Sequence, residues 1–170
     1  MEVSVRIRTV ITVLAVAMVL MVAAPASAQE KGAANFAFGY SNLTSFDPTH
    51  NTPAGWLASI GVGITANASF VGEVGGFYES GASLHTFQGG VRFAGTSNPK
   101  ATPFFQVVTG LGRGGGTNVW ALTPGGGFDV KVNDKAGVRI QVDLPIFRSS
   151  GVTDTGLRIS GGVVVNIPKG

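Results

Sequence analysis

The chain has 170 residues, a length that fits a single domain, and a formal net charge of only +3. Charged residues make up 12% of the sequence, well below the roughly 25% of average soluble domains, and no cluster of lysine and arginine predicts nucleic-acid binding. Cysteine is absent, which excludes disulfides and thiolate metal sites.

The N-terminal segment has the features of a secretory signal peptide. Two arginines precede an uncharged apolar stretch, and the triplet Ala26-Ser27-Ala28 fits the small-residue cleavage pattern. We therefore predict that residues 1–28 are a signal peptide, cleaved between Ala28 and Gln29, and that residues 29–170 form the mature domain. The alternative is an uncleaved membrane-anchoring helix, which the shortness of the apolar stretch disfavours.

From residue 33 onward, apolar residues recur at every second position between breaks rich in Gly, Pro, Asn, Ser and Asp. This period of two is typical of β-strands, and the 26 glycines disfavour helices. We predict eight strands, each about as long as a tilted strand must be to cross a bilayer. They span residues 33–43, 55–66, 68–79, 83–94, 102–113, 118–132, 136–147 and 155–167.

Seven of the eight predicted strands have one apolar face and one face of glycine, small polar residues and isolated charges; the first strand fits less well. The last strand is the clearest, with Leu157 and Ile159 on one face and Arg158 and Ser160 on the other. A face so poor in charge and rich in glycine suits a narrow interior better than a water-exposed surface. Only a closed barrel satisfies every strand hydrogen bond in lipid, and eight strands enclose an interior filled by side chains. The pattern predicts an all-β fold, a single eight-stranded antiparallel up-and-down transmembrane β-barrel with a polar, largely filled interior.

Charged side chains fall at intervals on the face assigned to the interior. A turn at residues 133–135 would place Asp129 across from Arg139, and Arg158 lies on the strand after Asp143. Because unpaired charges in a narrow interior are costly, we expect these groups to pair. The first interpretation is a structural plug, and the alternative is a gated path for ions or small solutes. The predicted interior network comprises Glu73, Arg92, Asp129, Lys131, Arg139, Asp143 and Arg158.

The histidines and the glycine-rich loop give little support for catalysis or cofactor binding. His50 falls in a loop, and His85 has lipid-facing parity near Ser83, with no acid fixed in a triad arrangement. Asp47 and His50 supply only two of the three or four ligands that a metal site needs. The run GLGRGGG (110–116) lacks the Gly-Lys-Ser/Thr ending of a phosphate-binding loop. We predict no enzyme activity, no cofactor and no metal.

Four stretches carry a likeness to a known family: TPFFQVVTGLGRG (102–114), GGGFDVKV (125–132), GVRIQVDLPIF (137–147) and GLRISGGVVVNI (156–167). They resemble the fifth to eighth strands of the small outer-membrane β-barrel family of the OmpA/OmpX type, the porin-like outer-membrane β-barrel domain. The resemblance implies a Gram-negative outer-membrane location and a largely plugged barrel. We expect outer-membrane lipid as a partner, a monomeric state, and delivery by the export and barrel-assembly machinery.

These features predict an outer-membrane barrel with a structural or passive role, extending at most to limited passage of small solutes or ions. The alternative is a soluble periplasmic barrel, lipocalin-like, with its apolar faces turned inward around a small hydrophobic ligand. Family members usually end on an aromatic residue in the last strand, whereas here Pro168 follows Ile167, and this difference favours the alternative. The two alternatives are distinguished by whether four residues point out of the barrel: Val138, Ile140, Val142 and Leu144.

Overall fold

The computed structural model describes residues 33–45, 53–79, 81–95 and 100–167. The predicted signal peptide, with its cleavage site between Ala28 and Gln29, lies outside these residues, as do Asp47 and His50. Among the described residues, no helix is long and apolar enough to cross a membrane.

The alternating sequence forms nine β-strand segments in the described ranges. Consecutive segments from β1 to β7 pair antiparallel, and β9 pairs with β1, which closes the sheet. The segments β7 and β8 are two parts of one barrel strand, because both lie between β6 and β9. The predicted closed barrel of eight antiparallel strands is therefore confirmed. The segments are β1 Ala34–Ser45, β2 Ala54–Gly63, β3 Ala68–Glu79, β4 Ala82–Ala94, β5 Ala101–Gly114, β6 Thr117–Lys131, β7 Ala136–Asp143, β8 Ile146–Ser149 and β9 Val152–Ile167.

The seventh barrel strand, predicted as continuous over residues 136–147, is interrupted at Leu144 and Pro145. Proline has no N–H to give to the ladder, which explains the interruption. The register against β6 is the same on both sides of the break. The N–H of Leu144 donates to the carbonyl of Pro124 at 2.8 Å, and that of Gly156 donates to Pro145 at 3.0 Å. The wall of the barrel therefore stays hydrogen-bonded across the proline.

Two tight turns mark one end of the barrel, which we call the hairpin end. They join β5 to β6 and β8 to β9, and both of their central residues have positive φ: 56° and 80° at Gly115 and Gly116, 47° and 85° at Ser150 and Gly151. These values fit type I′ turns, whose twist matches that of the strands they connect. Glycine tolerates such angles without strain, whereas Ser150 is a non-glycine residue in this region.

The opposite end, which we call the N-terminal end, contains the turns at residues 64–67 and 132–135. In each turn a side-chain oxygen replaces a backbone acceptor. Asn133 Oδ1 accepts from the N–H groups of Lys135 and Ala136 at 2.9 and 2.8 Å. Thr65 Oγ1 accepts from the N–H of Ala68 at 3.0 Å. These local bonds fix the turn predicted at residues 133–135.

Most of the large apolar side chains point away from the barrel interior. On β7, Val138, Ile140 and Val142 are 41%, 53% and 45% exposed, while the alternating Arg139 and Gln141 are buried. The first strand has the same alternation, so the expectation that it fits less well is wrong. The lipocalin-like alternative requires the apolar faces inside, and the structure has them outside. Large outward apolar residues include Phe36, Phe38, Tyr40, Ile60, Phe70, Phe87, Phe93, Leu111, Trp120, Phe128, Ile159, Val163 and Val165.

Candidate functional site

A buried arginine between two carboxylates forms the centre of the lumen. Arg158 on β9 faces Asp143 on β7 in register, and Glu73 reaches it from β3. The Arg158 Nε atom donates to Asp143 Oδ2 at 2.8 Å, and its Nη2 atom forms ion pairs with both Asp143 and Glu73. Each of the three residues is at most 1% exposed. Charges this far from water are stable only when paired, so removing one member would leave the others uncompensated.

Gly125 on β6 makes room for this triad. It faces Asp143 in strand register, and the Asp143 carboxylate occupies the space that a Cβ at residue 125 would need. The Asp143 Cα lies only 2.9 Å from that Cβ position, so the backbone cannot easily withdraw. The glycine therefore permits the contact between Asp143 and Arg158.

Two glutamine side chains extend the triad along the lumen. Gln106 Nε2 donates to Glu73 Oε2 at 3.0 Å, while its Oε1 accepts from Arg92 Nε and Nη2 at 2.9 and 2.6 Å. Gln141 Nε2 donates to Asp143 Oδ2 at 2.9 Å and to Glu73 Oε2 at 3.4 Å. The Gln106 amide thus connects a carboxylate to a guanidinium with both of its polar atoms.

Asp129 and Arg139 form the pair that the strand register predicts. The Nε and Nη2 atoms of Arg139 donate to the two carboxylate oxygens of Asp129, each at 2.7 Å. Arg139 Nη1 also donates to Ser59 Oγ at 3.1 Å, which joins β7 to β2 across the lumen. The bidentate geometry is the strong form of an arginine–carboxylate contact.

Phe104 separates two arginines near this pair. The guanidinium carbons of Arg92 and Arg139 lie 4.7 and 4.9 Å from the centroid of its ring, within cation–π range. No carboxylate of the described residues lies within 4.0 Å of Arg92; the amide oxygens of Gln106 and Asn35 accept from it instead. The ring keeps the two positive groups apart and gives each an electrostatic partner.

Six of the seven charged residues proposed for the interior point into the lumen, and Lys131 does not join them. Its side chain is 48% exposed, and its Nζ atom lies 2.7 Å from Asp134 Oδ1 in the adjacent turn. Residue 131 has the inward parity, but it is the last residue of β6, so the side chain extends past the wall into water. Placing Lys131 in the network is therefore wrong. Its hydrogen bond lowers the pKa of Asp134 below its usual value. The remaining six residues carry three negative and three positive formal charges, which cancel.

Uncharged polar side chains complete the network, and the predicted set, which contains only charged residues, does not include them. The signal was available, since these residues share the inward parity of the charged ones. Gln88 Nε2 donates to Thr123 Oγ1 at 2.8 Å, and the hydroxyls of Ser41 and Ser160 are 2.8 Å apart. The buried uncharged set includes Asn35, Ser41, Ser59, Gln88, Gln106, Thr123, Gln141 and Ser160.

The lumen becomes apolar toward the hairpin end. Phe77 lies nearer that end than Glu73 does on β3, and Phe147 lies nearer it than Asp143 does on the seventh barrel strand. The side chains at the mouth line an open cup of about 480 Å³, with Glu79 and Asp154 at its edge. We call Leu43, Leu57, Phe77, Leu84, Val119 and Phe147 the apolar layer. It covers the polar network on the hairpin side.

A small cavity remains beside the network. It has a volume of about 20 Å³, and its polar lining residues are Ser59, Arg139, Gln141 and Ser160. A space of this size holds about one water molecule. The space beside these four residues therefore has room for little more than a single water molecule.

No family model and no curated protein matches the sequence, whereas solved structures do. Neisserial surface protein A has a TM-score of 0.68 at 13% identity, over 79% of this chain and 98% of that one. The outer membrane protein OprG from Pseudomonas aeruginosa has a TM-score of 0.62 at 8% identity, over 84% and 99%. A de novo designed transmembrane β-barrel has a TM-score of 0.54 at 10% identity, over 83% and 100%.

The fold is that of the small outer-membrane β-barrels. At these identities the likeness concerns the architecture alone. A natural surface protein and a designed barrel share it, so the architecture does not specify an activity.

The outer surface of the barrel carries an aromatic patch at the hairpin end. Trp56 Nε1 donates to Tyr78 Oη at 3.3 Å, and Tyr78 Oη lies 3.4 Å from His85 Nε2. The ring of Phe38 stacks on Trp56 with centroids 6.3 Å apart. Tryptophan and tyrosine at one level of a barrel wall are typical of a membrane interface.

The structure brings no catalytic or metal constellation to His85. The side-chain hydrogen-bond partner of His85 is Tyr78, and no carboxylate among the described residues contacts it. In the same described ranges, no three His, Asp or Glu residues are placed to hold a metal ion. The imidazole belongs to the outward-facing aromatic patch.

Proposed function

We propose that the chain is exported and resides in the outer membrane as a monomeric β-barrel with a structural role. In this proposal residues 1–28 are removed during export, and the assembly machinery inserts the barrel. The N-terminal end, with its short turns, faces the periplasm, and the hairpin end faces the exterior. The protein has no catalytic role in this proposal.

The orientation of the side chains carries the proposal. Phe128 and Ile140 are 50% and 53% exposed on the outer wall, whereas Arg158 is 1% exposed inside. In water, a wall of such residues would form an apolar patch far larger than soluble monomers tolerate. In lipid the same wall is solvated, and the closed sheet leaves no strand edge unpaired.

The filled lumen supports a structural role rather than conduction. The triad of Glu73, Asp143 and Arg158 bridges β3, β7 and β9, and the apolar layer covers it on the hairpin side. Passage of an ion or solute would require these buried pairs to separate. Because separated charges in a dry interior are strongly unfavourable, we propose that limited passage is at most a rare event.

Cell fractionation tests the membrane location. We expect the protein in the outer-membrane fraction, extractable only by detergent, with gel mobility that differs between heated and unheated samples. Such heat-modifiable mobility reports a barrel that resists detergent until it is boiled. Recovery in the soluble periplasmic fraction without detergent would overturn the proposal.

Planar-bilayer recording tests the closed lumen separately. We expect the purified barrel to give no stable conductance steps above those of the bare bilayer. The matched comparison is the same preparation after heat denaturation. Frequent, long-lived openings would contradict the structural role and favour the gated path, while leaving the membrane location intact.

A further inference from the structure

Two charged side chains of the described strands point outward from the barrel wall. They are Arg113 on β5 and Arg148 on β8, and both are exposed. The other charged residues of the described strands have lumenal parity and lie inside the barrel or at its rims. A wall otherwise free of charge therefore carries two isolated guanidiniums.

Both arginines lie at the hairpin end and flank the same strand. Arg113 pairs with Asn118 of β6, and Arg148 pairs with Trp120 of β6, two residues further along. Two strand spacings and two residues of rise put their Cα atoms about 12 Å apart. Their side chains are long enough to converge on one group above Trp120.

Among the described residues, no hydrogen bond or ion pair involves Arg113 or Arg148. Immediately toward the middle of the wall, Leu111 and Trp120 are outward and 55% and 46% exposed. The two cations thus stand at the boundary of the apolar wall, at the level where a bilayer has its headgroups.

The positive charge is confined to one side of the barrel. On the side formed by β1, β2 and β3, the outward residues at the hairpin end are Tyr40, Trp56 and Tyr78, which are uncharged. Arginine is well suited to binding phosphate because its planar guanidinium group donates two parallel hydrogen bonds to phosphate oxygens. An adjacent tryptophan packs against the apolar part of the same molecule.

We propose that Arg113 and Arg148 bind the phosphate groups of the phosphorylated glycolipid in the outer leaflet, with Trp120 against its acyl chains. The inference rests on the proposed function, because it requires the hairpin end to face the exterior. The proposed site lies on the side of the barrel formed by β5, β6 and β8. It would bind one class of lipid specifically, whereas the rest of the wall contacts lipid chains without selectivity.

Native mass spectrometry of the detergent-purified protein tests the site. Bisphosphorylated lipid A is added at increasing concentration, and the number of bound molecules is counted for wild type, Arg113→Gln, Arg148→Gln and the double variant. From the contribution of about 1 kcal/mol that one Lys or Arg makes near an anionic lipid surface, we expect roughly fivefold weaker binding per substitution and about 25-fold for both. The matched control is Lys135→Gln, which removes an exposed cation at the opposite end and should leave binding unchanged.

Two further comparisons identify the ligand chemistry. Dephosphorylated lipid A should bind wild type as weakly as the phosphorylated lipid binds the double variant, and phosphatidylglycerol should bind less tightly than lipid A. Equal binding by the double variant, equal loss in Lys135→Gln, or equal affinity for phosphatidylglycerol would each overturn the proposal. Only variants that retain heat-modifiable mobility are compared. A chain that needs no detergent would instead contradict the membrane location itself.

Discussion

Glycine has different roles at different positions of this wall. At Gly125 the missing Cβ leaves space for the Asp143 carboxylate, which holds Arg158. At Gly161 on β9, no atom lies within 4 Å of the position a Cβ would take, because that position faces outward. The same residue type is therefore a packing requirement at one site and replaceable at the other.

This contrast gives a matched pair of substitutions. We expect Gly125→Ala to lower the free energy of unfolding by about 2–4 kcal/mol, because the new methyl displaces Asp143 from its buried partner. Gly161→Ala should be neutral or stabilising by up to about 1 kcal/mol, because alanine loses less conformational entropy in a strand. Urea unfolding in lipid vesicles, followed by tryptophan fluorescence, measures both. Similar effects of the two substitutions would show that the space at residue 125 is not what holds the triad together.

At the scale of the strands, the alternation of apolar and polar residues predicted more of the structure than any single residue did. Period two in the sequence placed Val138 outside and Arg139 inside, and the turn at residues 133–135 set the register that joins Arg139 to Asp129. The alternation cannot show at which residue a strand leaves the barrel wall, so Lys131 was wrongly assigned to the interior network. The alternation also does not show which side chains meet across the lumen. The hydrogen bonds that link Glu73 through Gln106 to Arg92 could therefore not be predicted.

The sequence also did not predict where the backbone departs from regular strand geometry. Pro145 signalled a break only once its place in the ladder was known, and Ser150 gave no sign of its positive φ. Serine is an ordinary turn residue, and its neighbour Gly151 alone did not define the turn type. The hairpin geometry that requires φ of 47° at Ser150 arises from the two strands that it joins.

A substitution in the turn between β8 and β9 can therefore stabilise the protein. Asparagine tolerates positive φ better than serine, and Asn-Gly is the preferred type I′ pair. We expect Ser150→Asn to raise the free energy of unfolding by about 0.5 kcal/mol, and Ser150→Val to lower it by about 1–2 kcal/mol. The same urea titration compares them. If valine were tolerated as well as asparagine, residue 150 would not have the left-handed conformation in the folded protein.

For the whole molecule, the height of the outward apolar wall determines the bilayer thickness that matches the barrel. On β9 the outward residues run from Leu157 to Ile167, ten residue steps of one strand. At about 3.3 Å per residue and a tilt of about 40°, these steps cover about 25 Å along the barrel axis. Both tryptophans of the chain, Trp56 and Trp120, lie near the hairpin end of this band. The wall therefore matches a bilayer thinner than the average hydrocarbon core of about 30 Å.

This match predicts how folding depends on bilayer thickness. We expect the largest folded fraction, measured as the heat-modifiable band, in vesicles with a hydrocarbon core of about 25 Å, and a smaller fraction at about 35 Å, because each ångström of mismatch has a cost. Quenching by brominated lipids adds a depth measurement. Since Trp56 and Trp120 share one end, bromine near the headgroups should quench fluorescence more strongly than bromine at the chain ends. Stronger quenching from the bilayer centre would place the aromatic patch at mid-membrane and contradict the proposed position of the wall.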